Sequence, residues 1–332
     1  MKSSLHTYKL GFDIGGTFTD FILLNEKSGE IYSYKILTTP EEPSEAVING
    51  IKHLIEKHNI DPQNIVHTTH ATTLITNAFI ERKGSETALI CTSGFSDIIE
   101  IGNEMRYDIY DLLMELPEPI VGRNNRFEAD ERITASGDIF TKLNTAQLNK
   151  IVHKIKNSNI EAVGICFLHS YKNNVHENKA KKIINEKLKN ISVSVSNEVS
   201  PEIREYERIS TTLCNAYVQP LVSKYLKKLI IEQKKLNLKG ELSLMLSSGG
   251  ITDIQTAIDF PINLVESGPA AGVLAAIYYG KQINEKNILS FDMGGTTAKM
   301  GLIKDGKPTI SDNFEIGRVR RFKKGSGLPV KI

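Results

Sequence analysis

The chain has 332 residues, 40% of them hydrophobic, and a net charge of +2. That length ordinarily holds two domains with buried cores, and near-neutrality gives no reason to expect a nucleic acid or a membrane surface as partner. Cys91, Cys166 and Cys214 stand far apart and fit no zinc spacing, no apolar run reaches bilayer length and no signal core opens the chain, so reduced thiols in a cytoplasmic protein are expected.

Residues 11–24 read as an apolar run, an acid, two glycines and two threonines, then a second apolar run. The pattern predicts a β-hairpin whose tip carries Asp13, Gly15, Gly16, Thr17 and Thr19. Glycines without a Cβ let backbone N–H groups approach a phosphate, threonine hydroxyls add donors, and Asp13 is placed to hold the accompanying cation. A hairpin with a plain Gly-Gly turn and no ligand has the same local pattern. Residues 30–37 predict a third strand, residues 44–58 an amphipathic helix, and residues 64–68 a short strand. Three strands, a helix, a strand and a helix form the opening of a ribonuclease-H-like domain.

Residues 66–78 end that strand and begin a helix expected to reach Lys83 and stop at Gly84 as its C′ glycine. Here His70, Thr72, Thr73 and Asn77 put polar groups at a helix N-terminus, a natural site for an anion or carbonyl. A polar N-cap with a satisfied histidine explains them equally well. His67 and His70 adjoin no third His, Cys or carboxylate in the sequence, which argues against zinc.

Residues 87–91 predict a strand and residues 93–100 a short helix. Residues 101–132 predict a long loop or small insert over a cleft, with Glu100, Glu104, Arg106 and Arg132 as ion-paired or substrate-contacting groups. An amphipathic helix (144–157), a buried strand (160–168) and a strand (191–195) follow, with His169 and His176 in the loops or caps between them. Residues 210–235 predict a long helix that Pro220 should break or kink. After a strand over 241–246, residues 266–272 precede a small-residue helix reaching Tyr279, either a tightly packed element or a hinge between two halves.

The acidic hairpin then recurs. Residues 291–303 repeat strand, Asp292, Gly294, Gly295, Thr296, Thr297 and strand, which implies two related half-domains facing one triphosphate. No P-loop or dinucleotide fingerprint occurs. The pair resembles the phosphate-1 and phosphate-2 motifs of the actin/sugar kinase/Hsp70 superfamily. The expected fold class is α/β: a ribonuclease-H-like half-domain with insertions plus the start of a second such half-domain.

Residues 13–20, 69–77, 81–84 and 92–102 together resemble the hydantoinase A / 5-oxoprolinase family. So do Phe167-Leu168-His169-Ser170-Tyr171, Tyr206-Glu207-Arg208, Asn215-Ala216-Tyr217, and residues 267–272 and 292–296. The resemblance implies an N-terminal domain over residues 7–200 and the start of a hydantoinase A domain over 201–332, carrying the hinge helix and the second hairpin. It implies ATP and Mg²⁺ as cofactors, with Asp13 and Asp292 holding the metal and both glycine turns holding phosphates. His70, Thr72, Thr73 and Asn77 would bind a cyclic amide, with His70 as a guessed base. Ala71 and Lys299 depart from the common family pattern, where glycine and an acid stand. A Gly-rich adenosine stretch, and about half of the family's chain, is expected beyond this sequence. Three readings stay open: an ATP-dependent cyclic-amide hydrolase, an ATP-using ketone carboxylase subunit, and a non-catalytic module completed by a separate C-terminal chain or a hydantoinase B-type subunit.

Overall fold

The structure is a computed structural model that describes residues 6–39, 41–293, 298–311, 314–320 and 322–332. Gly294, Gly295, Thr296 and Thr297, the expected second turn, lie outside the described residues. The chain folds as two compact units, residues 1–77 with 222–310, and residues 78–221 with 311–332. Both are mixed α/β with parallel strand pairs.

The first unit is built on a six-stranded sheet. Its order is Ile251–Thr252, Glu241–Met245, Ile65–Thr72, Tyr8–Ile14, Phe18–Asn25, Ile31–Leu37. Tyr8–Ile14 pairs antiparallel with Phe18–Asn25 and parallel with Ile65–Thr72, which in turn pairs parallel with Glu241–Met245. Alternation along Phe18–Asn25 buries Thr19, Phe21, Leu23 and Asn25 and exposes the residues between most of them. Helix Pro43–His58 covers the sheet with Ala46, Val47, Ile51 and Leu54 buried. Each such aliphatic burial stabilises by roughly 1.5–3 kcal/mol. Gly50 is needed there because any Cβ would overlap the Phe21 ring.

The same unit holds an antiparallel ladder of Ile288–Met293, Ala298–Lys304 and Lys307–Pro308. One face packs on helix Ser267–Gln282, with Val273 against Gly301 and Ile288 against Gly280. The small residues of that helix thus serve close packing. On the other face Leu289, Phe291, Met293, Met300 and Leu302 are 56–72% exposed.

The second unit holds a four-stranded, all-parallel sheet in the order Ser192–Val195, Ala162–Cys166, Thr87–Thr92, Arg126–Ala129. Its two central strands are buried along their whole length, as befits a parallel sheet covered on both faces. Leu148, Ile151, Val152, Ile155, Ala180 and Ile184 cover one side. Ile209 and Leu213 of helix Glu205–Lys235 cover the other, where Gly164 makes room for Leu213.

Four expectations are corrected. The expected loop 101–132 contains a strand, Arg126–Ala129, hidden in the sequence because the buried Arg126 stem reads as polar while its guanidinium pairs with Glu100 at 2.7 Å. Pro220 does not break helix Glu205–Lys235; Val218 and Val222 are buried beside it, and that packing outweighs one lost hydrogen bond. The strand expected over 64–68 extends through Thr72 because it is paired on both edges. The following helix is Leu74–Ile80, and Arg82, not Gly84, takes the left-handed conformation (φ +54°). Gly84 instead admits the Tyr217 ring. Cys91, Cys166 and Cys214 are buried and unpaired.

Candidate functional site

In the first unit the first hairpin turns as its sequence predicts. Gly15 N–H donates to Phe18 O at 2.9 Å, closing the tip. Neither Gly15 nor Gly16 needs a positive φ. A Cβ on Gly15 would meet Phe18 O at 3.0 Å, whereas one on Gly16 would face open space. Thr17 is exposed. Thr19 is buried, its hydroxyl 3.0 Å from that of Thr38, which donates to Gly15 O at 2.9 Å. Thr19 therefore braces the turn from beneath.

Asp13 stands at the end of the strand, opposite Asp20 across the hairpin and beside Ala71 on the parallel neighbour. Burial pushes its carboxyl up to about 6; the charge of Asp20 adds to that, Lys299 opposes it, and Asp292 adds further. Its Oδ1 is buried with no hydrogen-bond partner among the described residues. Asp20 itself is exposed and paired with Lys35 at 2.8 Å. The electrostatics thus join Asp13 to Asp292 of the second hairpin, whose side chain is exposed. At a desolvated carboxylate with an unused oxygen, under the charge of two more, a cation would be favoured. Among the described residues no three His, Cys, Asp or Glu side chains form a metal-binding group. Asp13 and Asp292 therefore fit a hard cation such as Mg²⁺ that keeps waters and phosphate oxygens in its shell.

The polar junction after Ile65–Thr72 is tied to the same place. Thr73 donates both its N–H (3.0 Å) and its hydroxyl (2.9 Å) to Ile14 O. Thr72 is buried; its hydroxyl accepts from Leu74 N at 3.0 Å, and its N–H donates to Ser267 Oγ at 3.3 Å. Asn77 is half-buried one turn along the helix. Two residues that the sequence did not single out as ligands complete the cluster. Glu266, left-handed at the N-terminal boundary of helix Ser267–Gln282, accepts from the Thr76 hydroxyl at 3.3 Å. Its other oxygen lies 2.7 Å from Lys299 Nζ. The departure of Lys299 from the family pattern was the only sequence signal for this pair.

His70 is elsewhere. Its ring is 0% exposed, stacked on Phe12 with centroids 4.4 Å apart, and its Nε2 lies 2.9 Å from the Tyr225 hydroxyl. Burial holds its pKa down to about 3, so the ring is neutral. A histidine packed in this way does not touch solvent.

In the second unit, the carboxyl ends of the parallel strands carry a buried polar network. Arg208 donates to Phe167 O (2.9 Å) and Ser170 Oγ (3.0 Å). Glu177 accepts from Phe167 N, Ser196 Oγ and Asn197 N. His176 is not free for a ligand, being 2.7 Å from Glu131, which also accepts from Thr92. Near this sheet lies a cavity of about 250 Å³ whose lining includes Glu100, Glu104, Arg106, Tyr206, Glu207 and Glu315. Arg132 lies over the Phe95 ring instead.

The chain is a mixed α/β protein with two acidic hairpins in its first unit, and comparison with known proteins gives its family. Residues 9–188 match the hydantoinase/oxoprolinase N-terminal region and residues 208–331 the hydantoinase/oxoprolinase domain. The chain belongs to the hydantoinase/oxoprolinase family. It is 46% identical over 331 residues to an uncharacterized protein of Methanocaldococcus jannaschii, covering 98% of this chain and 48% of that one. It is 30% identical over 323 residues to the caprolactamase subunit alpha of Pseudomonas jessenii, covering 96% and 46%. The crystal structure of the ATP-dependent caprolactamase from that organism superposes with a TM-score of 0.85 at 28% identity, over 98% of this chain and 46% of that one. Relatives also include the acetophenone carboxylase gamma subunit of Aromatoleum aromaticum and the 5-oxoprolinase of Dictyostelium discoideum. The chain spans about half the length of the first two relatives. Among the described residues no helix is long and apolar enough to cross a membrane.

Proposed function

We propose that this chain carries the phosphate site of an ATP-dependent hydrolase of cyclic amides, of the hydantoin or 5-oxoproline class, on a ribonuclease-H-like half-domain. The carrying observation is Asp13: half-buried, with an unused oxygen, and under the charge of Asp292 from a second hairpin. Sheet order supports the fold reading, with an antiparallel three-strand meander continued by two parallel strands.

Opening an unstrained amide is slow because water is a poor nucleophile toward it and the nitrogen a poor leaving group. In the proposed reaction the amide oxygen attacks the γ-phosphorus and the bond to ADP breaks. Water then adds to the activated carbon, the ring C–N bond opens as nitrogen takes a proton and leaves an acyl phosphate, and a second water cleaves that to carboxylate and phosphate. The backbone N–H of Gly16, in the turn that Gly15 closes on Phe18 O, holds a phosphate oxygen together with Thr17, and Gly294, Gly295, Thr296 and Thr297 have the matching role on the second hairpin. Asp13 and Asp292 hold Mg²⁺, which supplies charge neutralisation to the phosphates. Of the polar junction, half-buried Asn77 is left to contact the substrate, because Thr72 and Thr73 are spent on Ser267, Leu74 and Ile14 and instead hold the helix to the strand ends. His70, sealed between Phe12 and Tyr225, keeps that strand in register.

The test is release of ADP and phosphate by the chain, alone and with the remaining half of the Methanocaldococcus relative. The panel is 5-oxoproline, hydantoin and caprolactam, against bicarbonate plus a ketone. Turnover that needs a cyclic amide supports this reading, and turnover only with bicarbonate and ketone transfers the site to the carboxylase branch. A second reading, a subunit active only beside another polypeptide, is favoured by the bare apolar face of Leu289, Phe291, Met293, Met300 and Leu302.

A further inference from the structure

Lys299 and Asp292 are direct partners across the second hairpin, so their side chains share one face of the ladder. Gly301 and Ile303, on that same face, meet helix Ser267–Gln282 or the interior. Lys299 thereby reaches the start of the helix, where its ammonium is 2.7 Å from Glu266, with side chains 22% and 24% exposed.

Glu266 is unusual in two respects. Its backbone is left-handed (φ +60°), and its side chain caps no helix N–H, although an acid at a helix N-terminus is well placed to do so. It turns instead to Lys299 and Thr76. Left alone there, its charge would repel an anion approaching the free N–H groups of the helix, and Lys299 cancels it. Lys299 is also the group whose positive charge opposes Asp20 and Asp292 at Asp13.

We propose that Lys299 is a ligand of the terminal phosphate of ATP, parked on Glu266 when no nucleotide is bound and swung onto the γ-phosphate when it is. Thr76 then keeps a hydrogen bond to Glu266. An ammonium on a four-carbon stem is a compact charge that can exchange partners without backbone movement, and a terminal phosphate offers it charge-assisted bonds and more negative charge than the single carboxylate it leaves. The inference rests on the phosphate-site reading above. It adds a distinction that reading does not make: Lys299 senses ATP and not ADP.

Calorimetric titration with the Mg²⁺ complexes of ATP, its imido analogue and ADP tests it, on the wild type, Lys299→Met, Lys299→Arg and Lys299→Met/Glu266→Gln. The double variant does not leave Glu266 as an unpaired charge, so a folding defect in the single one does not hide the result. Both methionine variants are expected to lose roughly ten- to a hundredfold in affinity for the imido analogue, less than about threefold for ADP, with partial recovery in Lys299→Arg. Equal losses for both nucleotides, or no loss, overturn the role of Lys299 while leaving the phosphate site standing. A wild type that binds neither nucleotide overturns both.

Discussion

Gly268 presses its backbone against the carboxylate of Asp13: a Cβ added there would stand 3.2 Å from Oδ2 and 3.4 Å from Oδ1. The glycine is thus required by its neighbour and not by its own backbone, since its φ is not positive. Gly268→Ala is expected to push the carboxylate aside at a cost of about 1–3 kcal/mol and to weaken MgATP binding about tenfold. Thermal unfolding and calorimetry on the same sample check it, and a variant normal in both would mean that the contact relaxes freely.

Asp13 itself trades stability for binding. Its pKa, about 6 in the fold against 3.8 ordinarily, favours the folded state below pH 3.8, and that advantage is lost as pH rises through 6. At pH 7.5 without metal, Asp13→Asn should be more stable than wild type by up to about 3 kcal/mol while binding no MgATP. The difference in unfolding free energy should vanish by pH 4; one that stays constant from pH 4 to 8 rules the account out.

His70 predicts the opposite slope. Its folded pKa, near 3, lies below the ordinary 6.5 because burial disfavours the charged ring. Stability is whole above pH 6.5 and falls toward pH 3 by about 1.4 kcal/mol per unit. His70→Phe, which keeps the stacking on Phe12, should remove that part of the acid sensitivity, as read from its difference against wild type. Tyr225→Phe should cost about 1 kcal/mol at neutral pH.

The buried Arg208 of the second unit holds the loop that follows strand Ala162–Cys166 through Phe167 and Ser170. Arg208→Met should cost about 1–3 kcal/mol, because Phe167 O and Ser170 Oγ lose their donor; burial raises the pKa of nearby Glu177, and the charge of Arg208 opposes that. A urea titration of Arg208→Met, Glu177→Gln and the double variant measures the coupling; additive losses would show that the two charges do not interact.

The apolar face of the second hairpin should bind the dye ANS in the isolated chain. Phe291→Lys with Leu302→Lys should abolish the binding and leave the melting temperature within a few degrees, since both side chains are already more than half exposed. Dye fluorescence unchanged by the substitutions would place the bound surface elsewhere.

Local pattern made much of this legible. Asp13, Gly15 and Gly16 announce a tight hairpin because strand alternation and a glycine turn are properties of neighbouring residues, and the helix at Pro43–His58 shows its apolar stripe for the same reason. Arg126 misled because its polarity is cancelled by Glu100, 26 residues away in the chain. Glu266 and Lys299 could not be paired by inspection, since 33 residues separate two ordinary charged side chains and only the packing of a ladder on a helix brings them to 2.7 Å.

By itself the sequence determined the two acidic hairpins, the family and the α/β class, all of which depend on short-range spacing that survives without coordinates. Tertiary structure alone decided which polar residues are available. It sealed His70 behind Phe12 and Tyr225, turned the Thr19 hydroxyl inward to Thr38, and left one oxygen of Asp13 buried and unsatisfied. Burial and long-range electrostatics are sums over the whole fold, and no stretch of chain carries them.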